Sequence, residues 1–277
     1  MSKPASLRVG PFVSNVLVKK RYLVFYAILI VFSIFIVQFE FWLFWIYFFD
    51  DILIFFILLP FLVLLIYASL VVVSLLIAKA LLVIVGMIHK PQEGVFMRDN
   101  SDKNYRYWNI RNVIKKWPVW LSHKFPYPIF DNLCLKVFGV STNLKNSLFE
   151  GWIDTEFIEF GKNVVIGEGS IIQSMIIAGN LFIIRKTIIE DNVRIGAHSI
   201  VMPGTHIEKD CILAASSTTT VNQRLEEGWI YIGVPAKKYR KNEFFKPGIE
   251  NLIGDSKDLE KLKQKYDMIY TKRIDKE

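Results

Sequence analysis

From Tyr22 to Ile88 the chain places only four charged residues, Glu40, Asp50, Asp51 and Lys79, among otherwise apolar positions. A helix needs about 20 apolar residues to cross a bilayer core of about 30 Å. Residues 22–49 supply one such stretch and residues 52–88 a second, with Asp50-Asp51 breaking the run between them. The pattern predicts an N-terminal two-helix transmembrane hairpin, at about 22–49 and 52–79. The second stretch contains Pro60 and is too long for one upright crossing, because 37 helical residues reach roughly 55 Å. Its last turns, to residue 88, read as a stalk, with the Lys79 ammonium reaching the headgroups.

Beyond residue 150 the period changes to six. Phe160-Gly161, Ile166-Gly167 and Ile172-Gln173 form one series of an aliphatic or aromatic residue followed by a small or polar one. Ile189-Glu190, Ile195-Gly196, Val201-Met202, Ile207-Glu208, Leu213-Ala214 and Thr219-Thr220 form a second. Two positions before each member of the second series stand Thr187, Val193, Ser199, Thr205, Cys211 and Ser217, all small or β-branched. A chain that turns every six residues draws a triangular coil of 18, each side burying one large and one small residue, and the coils stack about 4.8 Å apart like parallel strands. The expectation is a left-handed parallel β-helix over 151–240, with Cys211 as a packed thiol.

The step from Ile172 to Ile189 breaks the six-residue count, so a kinked or looped corner is expected within 173–188. Tracing back from Ile189 puts Ile183 and Ile177 on the inward register. In the tail, 241–277, Leu259, Leu262, Tyr266, Ile269 and Tyr270 recur at helical spacing and predict a C-terminal amphipathic α-helix.

Composition sharpens this mixed architecture. The chain is 52% hydrophobic and 22% charged with a net charge of +8, and its two cysteines cannot staple a fold. A wholly soluble enzyme, a secreted disulfide scaffold and a disordered chain are excluded. Lys3, Arg8, Lys19, Lys20 and Arg21 precede the first span without an acid, and eight Lys/Arg against three acids follow the second over 89–125. An integral membrane protein with both termini cytoplasmic follows from these flanks. Residues 89–150 interleave cations with aromatics, as in Tyr105-Arg106-Tyr107-Trp108 and Lys115-Lys116-Trp117-Pro118-Val119-Trp120. They read as juxtamembrane helices against lipid headgroups, and nothing there carries a nucleic-acid-binding motif.

Residues 154–240 resemble the hexapeptide-repeat acyltransferase superfamily. The resemblance rests on Phe157-Ile-Glu-Phe-Gly-Lys-Asn-Val-Val-Ile-Gly167, Val193-Arg-Ile-Gly-Ala-His-Ser-Ile-Val-Met-Pro-Gly-Thr205 and Ile232-Gly-Val-Pro-Ala-Lys237. More weakly, the arrangement is similar to the hexapeptide-repeat C-terminal regions of certain peptide-synthetase-like proteins. The resemblance implies a homotrimer, with acyl-CoA, acetyl-CoA in the first instance, lying between neighbouring β-helices. It also implies a histidine acting as general base on a hydroxyl or amine acceptor. The corner 173–180, where that histidine usually stands, has none, which leaves His198 and His206, both at outward positions. Each is read either as that base or as a solvated surface imidazole. Ala197, Ala215 and Ser216 match the small-residue groove for the pantetheine arm, and Lys237 and Lys238 are candidates for the CoA phosphates. A zinc hydratase of the same fold would need three histidines, where this chain has Ala197, Met202 and Ser174, so no metal is expected. Two functions remain open: a membrane-anchored acyltransferase acting near the bilayer, or a non-catalytic trimeric scaffold.

Overall fold

The computed structural model describes residues 20–125, 127–148, 151–242, 260–262 and 264–265. The basic segment up to residue 19, and Leu259, Tyr266, Ile269 and Tyr270 of the expected tail helix, lie outside the described residues; Leu262 is described, helical and exposed.

The apolar run folds as two helices, Leu23–Phe48 (α1) and Ile52–Ile88 (α2), both long and apolar enough to cross a membrane. Asp51 ends the first run and starts the second, because its carboxylate accepts the Ile54 amide at 3.2 Å as an N-cap. At the tip the Phe55 ring meets Phe44 and Trp45, each at 5.4 Å. The acid in α1 is matched within the pair, since Ser69 donates its hydroxyl to Glu40 at 2.6 Å.

Two further helices, Lys103–Lys124 (α3) and Ile129–Phe138 (α4), cover the base of this hairpin. Val71, Leu75, Ala78 and Val85 of α2 are buried in one cluster with Ile114, Leu121, Phe125, Cys134 and Phe138. One face of the end of α2 is therefore covered by α3 and α4, while Val83, Ile84, Met87 and Ile88 stay exposed. The Lys79 ammonium donates to the Val137 carbonyl at 2.7 Å, satisfying one of the last carbonyls of α4.

One buried carboxyl in this layer gives a pH prediction. Asp131 is buried at the start of α4, and desolvation pushes its carboxyl from 3.8 to about 6 against the pull of His123, whose Nδ1 lies 3.6 Å away. The folded value exceeds the unfolded one, so this group's contribution is full below about 3.8 and lost as pH rises through about 6. Asp131→Asn should raise stability at pH 7.5 by an order of 1–2 kcal/mol and leave it unchanged near pH 4. Thermal unfolding at the two pH values reads this directly.

The repeat region forms short parallel strands, preceded by one distant strand, Gly94–Met97 (β1). In chain order the strands are Trp152–Ile153 (β2), Ile158–Phe160 (β3), Val165–Ile166 (β4), Ile171–Ile172 (β5), Met175–Ala178 (β6), Leu181–Ile184 (β7), Thr187–Ile189 (β8), Arg194–Ile195 (β9), Ile200–Val201 (β10), His206–Ile207 (β11), Ile212–Leu213 (β12), Arg224–Leu225 (β13), Trp229–Ile232 (β14) and Lys237–Lys241 (β15). They stack in three parallel sheets, ordered β10-β5-β2, β13-β11-β8-β3 and β15-β14-β12-β9-β4. Between regular coils the step is 18 residues, as in Ile195 with Leu213 and Ile207 with Leu225. All nine residues of the two hexad series are buried, and so are Thr187, Val193, Ser199, Thr205, Cys211 and Ser217. Cys211 donates its thiol to the Glu226 carbonyl at 2.7 Å, and burial pushes it above the ordinary thiol range.

The irregular corner is larger than a kink. Ile172 pairs with Val201 across 29 residues, because β6 and β7 form an antiparallel hairpin that leaves the stack. Ile177 and Ile183 therefore sit on this hairpin and not on the coil register. The hairpin turns at Gly179-Asn180, with Gly179 at φ +62°, and β7 pairs on its other edge with β1. Phe182 and Ile184 are buried against Tyr105, with Trp108 packed alongside, so the excursion ties the stack to α3.

Candidate active site

The turns that follow β4, β9 and β12 stack as one corner. At its centre Gly169, His198 and Ser216 occupy equivalent positions with φ of +67°, +56° and +55°. Asn163, Asn192, Asp210 and Asn222 repeat the same left-handed geometry at other corners, so this backbone at His198 belongs to the fold rather than to chemistry. Successive coils close tightly: Ser216 donates its amide to the Ala197 carbonyl at 2.9 Å, and His198 donates its own to Glu168 at 2.8 Å. The His198 side chain is exposed, lies over the bare face of Gly169, and has no hydrogen-bond partner among the described residues.

Ala197, His198, Ala215 and Ser216 are thus gathered on one corner. The loop before β15 reaches the same place, since Thr218 donates to the Gly233 carbonyl at 3.0 Å and accepts the Ala236 amide at 2.7 Å. Lys237, exposed, begins immediately after it.

The other two expected residues are held elsewhere. His206 stands on β11, in a different sheet, with a ring nitrogen 2.7 Å from Glu190 Oε1. The same spacing recurs one coil on, where Arg224 donates to Glu208 at 2.5 Å, and His206 is the register neighbour of Arg224. His206 is therefore one rung of a ladder of side-chain pairs between coils. Lys238 is engaged by Glu226 at 2.5 Å and by the Trp229 ring at 4.1 Å. Among the described residues no group of three His, Cys, Asp or Glu side chains could hold a metal ion.

A second cluster escaped the sequence reading. Glu156 receives Arg111 Nε at 2.8 Å, Arg111 Nη2 at 3.3 Å and Lys115 Nζ at 2.5 Å. Burial works to raise Glu156, but the two cations outweigh it and hold its carboxyl below the ordinary range. Burial also lowers Lys115, against the pull of Glu156. Beside them burial raises Asp154, although its Oδ2 accepts the Ser174 amide at 2.8 Å and hydroxyl at 3.2 Å. Arg111 and Lys115 are four apart on one face of α3, and Asp154 and Glu156 flank Thr155; that local spacing was visible, but not that the two pairs meet.

Comparison with known proteins bears on the repeat region. The family model described as "Bacterial transferase hexapeptide (six repeats)" matches residues 186–220. A 2,3,4,5-tetrahydropyridine-2,6-dicarboxylate N-acetyltransferase of Staphylococcus aureus is 35% identical over 77 residues, which is 28% of this chain and 30% of that one. The chain thus spans about a third of the length of the curated relatives it matches. Among solved structures, a maltose O-acetyltransferase from Clostridium difficile 630 superposes with a TM-score of 0.41 at 17% identity, covering 55% of this chain and 94% of that one. A galactoside acetyltransferase in complex with coenzyme A gives 0.41 at 16% identity, covering 56% and 92%.

Proposed function

We propose that this chain, which carries a hexapeptide-repeat domain like that of bacterial acetyltransferases, is a membrane-anchored acyltransferase. In this reading the three parallel sheets form a left-handed β-helix that assembles as a trimer. The α1–α2 hairpin spans the bilayer with both ends cytoplasmic, and the covered base of the hairpin holds the repeat domain at the membrane surface. The observation that carries the reading is the corner: an exposed imidazole, His198, with no hydrogen-bond partner among the described residues, stacked among Ala197, Ala215 and Ser216 where two coils meet.

The chemistry is acyl transfer from CoA to a hydroxyl or amine. His198 takes the proton from the acceptor as its oxygen or nitrogen attacks the thioester carbonyl. The carbon–sulfur bond then breaks, and the CoA thiolate receives that proton. The small side chains of Ala197, Ala215 and Ser216 leave backbone open to the pantetheine arm, and Lys237 stands at the end of the capping loop for the CoA phosphates. His206 is not the base in this reading, since its place in the Glu190–His206 and Glu208–Arg224 ladder already accounts for it.

The test uses the full chain in membranes, radiolabelled acetyl-CoA and counting of label in extracted acceptors. His198→Ala should lower transfer about 100-fold while leaving acetyl-CoA binding by calorimetry intact; His206→Gln should change transfer by less than about threefold. Absence of acetyl-CoA binding at millimolar concentration would overturn the enzyme and favour the trimeric scaffold.

A further inference from the structure

The cluster that the α1–α2 hairpin shares with α3 and α4 extends toward the hairpin tip no further than Leu29 on α1 and Tyr67 on α2. Helix α3 runs antiparallel to α2, since Tyr107 stacks on His89 at 4.8 Å and Phe125, just past the last turn of α3, meets Tyr67 at 4.9 Å. Helix α4 then returns along the same face: Phe130 packs on Phe125 at 4.4 Å, and the Val137 carbonyl takes the Lys79 ammonium. The corner between α3 and α4 is therefore the part of this cover nearest the tip.

Beyond the cluster, residues 52–66 of α2 rise roughly 22 Å and residues 30–48 of α1 roughly 28 Å. A bilayer core is about 30 Å thick, and any tilt shortens the reach. The free part of the hairpin is too short to cross alone. On the face away from α3 and α4, Val83, Ile84, Met87 and Ile88 stay exposed to the end of α2, so the apolar surface that calls for lipid runs past the corner. The corner has a surface suited to that depth. Trp120 is 51% exposed, Tyr127 and Ile129 are 55% exposed, and Leu133 is 36% exposed. Lys116 and Lys124, both exposed, stand four residues either side of Trp120 on one face of α3. From Lys116 to Leu133 the only acid is Asp131, and it is buried.

We infer that the α3–α4 corner is inserted in the phospholipid leaflet nearest the hairpin base, with Tyr127 and Ile129 among the upper acyl chains and Lys116 and Lys124 on anionic phosphates. Aromatic and aliphatic side chains edged by cations fit the boundary between chains and headgroups, where the rings bury their bodies and the lysine stems reach outward. Only the tipward end of α3 enters; the helix does not lie flat along the headgroups. The corner supplies the depth that the free hairpin lacks and fixes how far the hairpin sinks. This placement rests on the hairpin spanning the bilayer, as proposed above, and not on acyl transfer.

A nitrobenzoxadiazole label on Ile129→Cys, Phe35→Cys or Lys209→Cys reads depth in the full chain, reconstituted in vesicles of phosphatidylcholine and phosphatidylglycerol. All three side chains are exposed, so the substitutions leave the packing intact, and the native thiols Cys134 and Cys211 are buried. Quenching by a lipid spin-labelled about 5–10 Å below the phosphates should be at least about threefold stronger for Ile129→Cys than for Lys209→Cys in the repeat domain. Phe35→Cys, on the free hairpin, should be quenched as well. Adding Lys116→Glu and Lys124→Glu should lower the Ile129→Cys signal about twofold and leave the Phe35→Cys signal unchanged. Quenching of Phe35→Cys without Ile129→Cys would overturn the inserted corner and leave the spanning hairpin standing. Quenching of neither would overturn the spanning hairpin, and the insertion with it. A label on Ile129→Cys that is shielded from aqueous iodide yet not quenched by the lipid marks a second copy of the chain as the cover, which also overturns the insertion.

Discussion

Replacing Glu156 with alanine is expected to cost about 3–5 kcal/mol and to loosen the repeat domain from α3. Glu156 is the acid that pairs with two buried cations, Arg111 and Lys115, whose side chains are each 5% exposed. Its removal strands both. Lys115, already lowered by burial, can shed its proton and become neutral, but Arg111 stays charged and has nowhere to put it. Glu156→Gln keeps the shape and loses the charge, so it should fall between wild type and alanine. Restoring balance is the decisive arm: Arg111→Met and Lys115→Met added to Glu156→Ala should recover most of the loss, because an uncharged packed patch carries no desolvation penalty. The pH response has a definite sign. The Glu156 carboxyl is held below its unfolded value of 4.5, so its contribution is present above that value and disappears as pH falls through the folded one. Thermal unfolding of the purified variants decides; a Glu156→Ala protein melting within about 2 °C of wild type, against a loss of several kcal/mol, would refute the stabilising role.

That triad also marks where reading a single sequence stops. The repeat was legible because its rule is local: each inward position lies six residues from the next, and Ile195, Val201, Ile207 and Leu213 obey it and are buried. The hairpin was not legible by the same rule, because Ile177 and Ile183 fall on the hexad count while belonging to β6 and β7. A local signal did exist in Gly179-Asn180, a two-residue turn between apolar runs. What no local signal contained was β1, which pairs with β7 from more than 80 residues earlier in the chain. The basic helix shows the same limit. Arg111 and Lys115 read as headgroup contacts because nothing in α3 says that Glu156 will arrive beneath them. Likewise, nothing in α2 says that α4 will bring the Val137 carbonyl to Lys79. At the corner, by contrast, Ala197, His198, Ala215 and Ser216 come together because the 18-residue coil makes neighbours of positions one turn apart. His206 and Lys238 did not join them because their partners, Glu190 and Glu226, hold them along the stack.

The same corner yields the second large effect: Gly196→Ala is expected to cost about 3 kcal/mol or more, a drop of roughly 6–12 °C in Tm. A methyl group on Gly196 would run into the backbone nitrogen and Cα of Ala215 and the carbonyl carbon of Ala214. These are main-chain atoms of the next coil, so no side chain can swing away to make room. The coils would have to part, yet their spacing is pinned on either side of the contact. Gly196 donates its amide to the Leu213 carbonyl at 2.7 Å, and Ser216 donates to Ala197 at 2.9 Å. Either those bonds lengthen or the strands shift in register, and both disturb Ala197 and Ser216, where the proposed CoA groove lies. Acetyl-CoA binding should therefore weaken even in the fraction that remains folded. Gly86 in α2 provides the control, because a methyl there meets nothing within 4 Å and its backbone is already helical. Gly86→Ala should be neutral or stabilising by about 0.5–1 kcal/mol. If Gly196→Ala melts with wild type and binds acetyl-CoA equally well, the coils can separate at this corner without loss, and close stacking is not what shapes it.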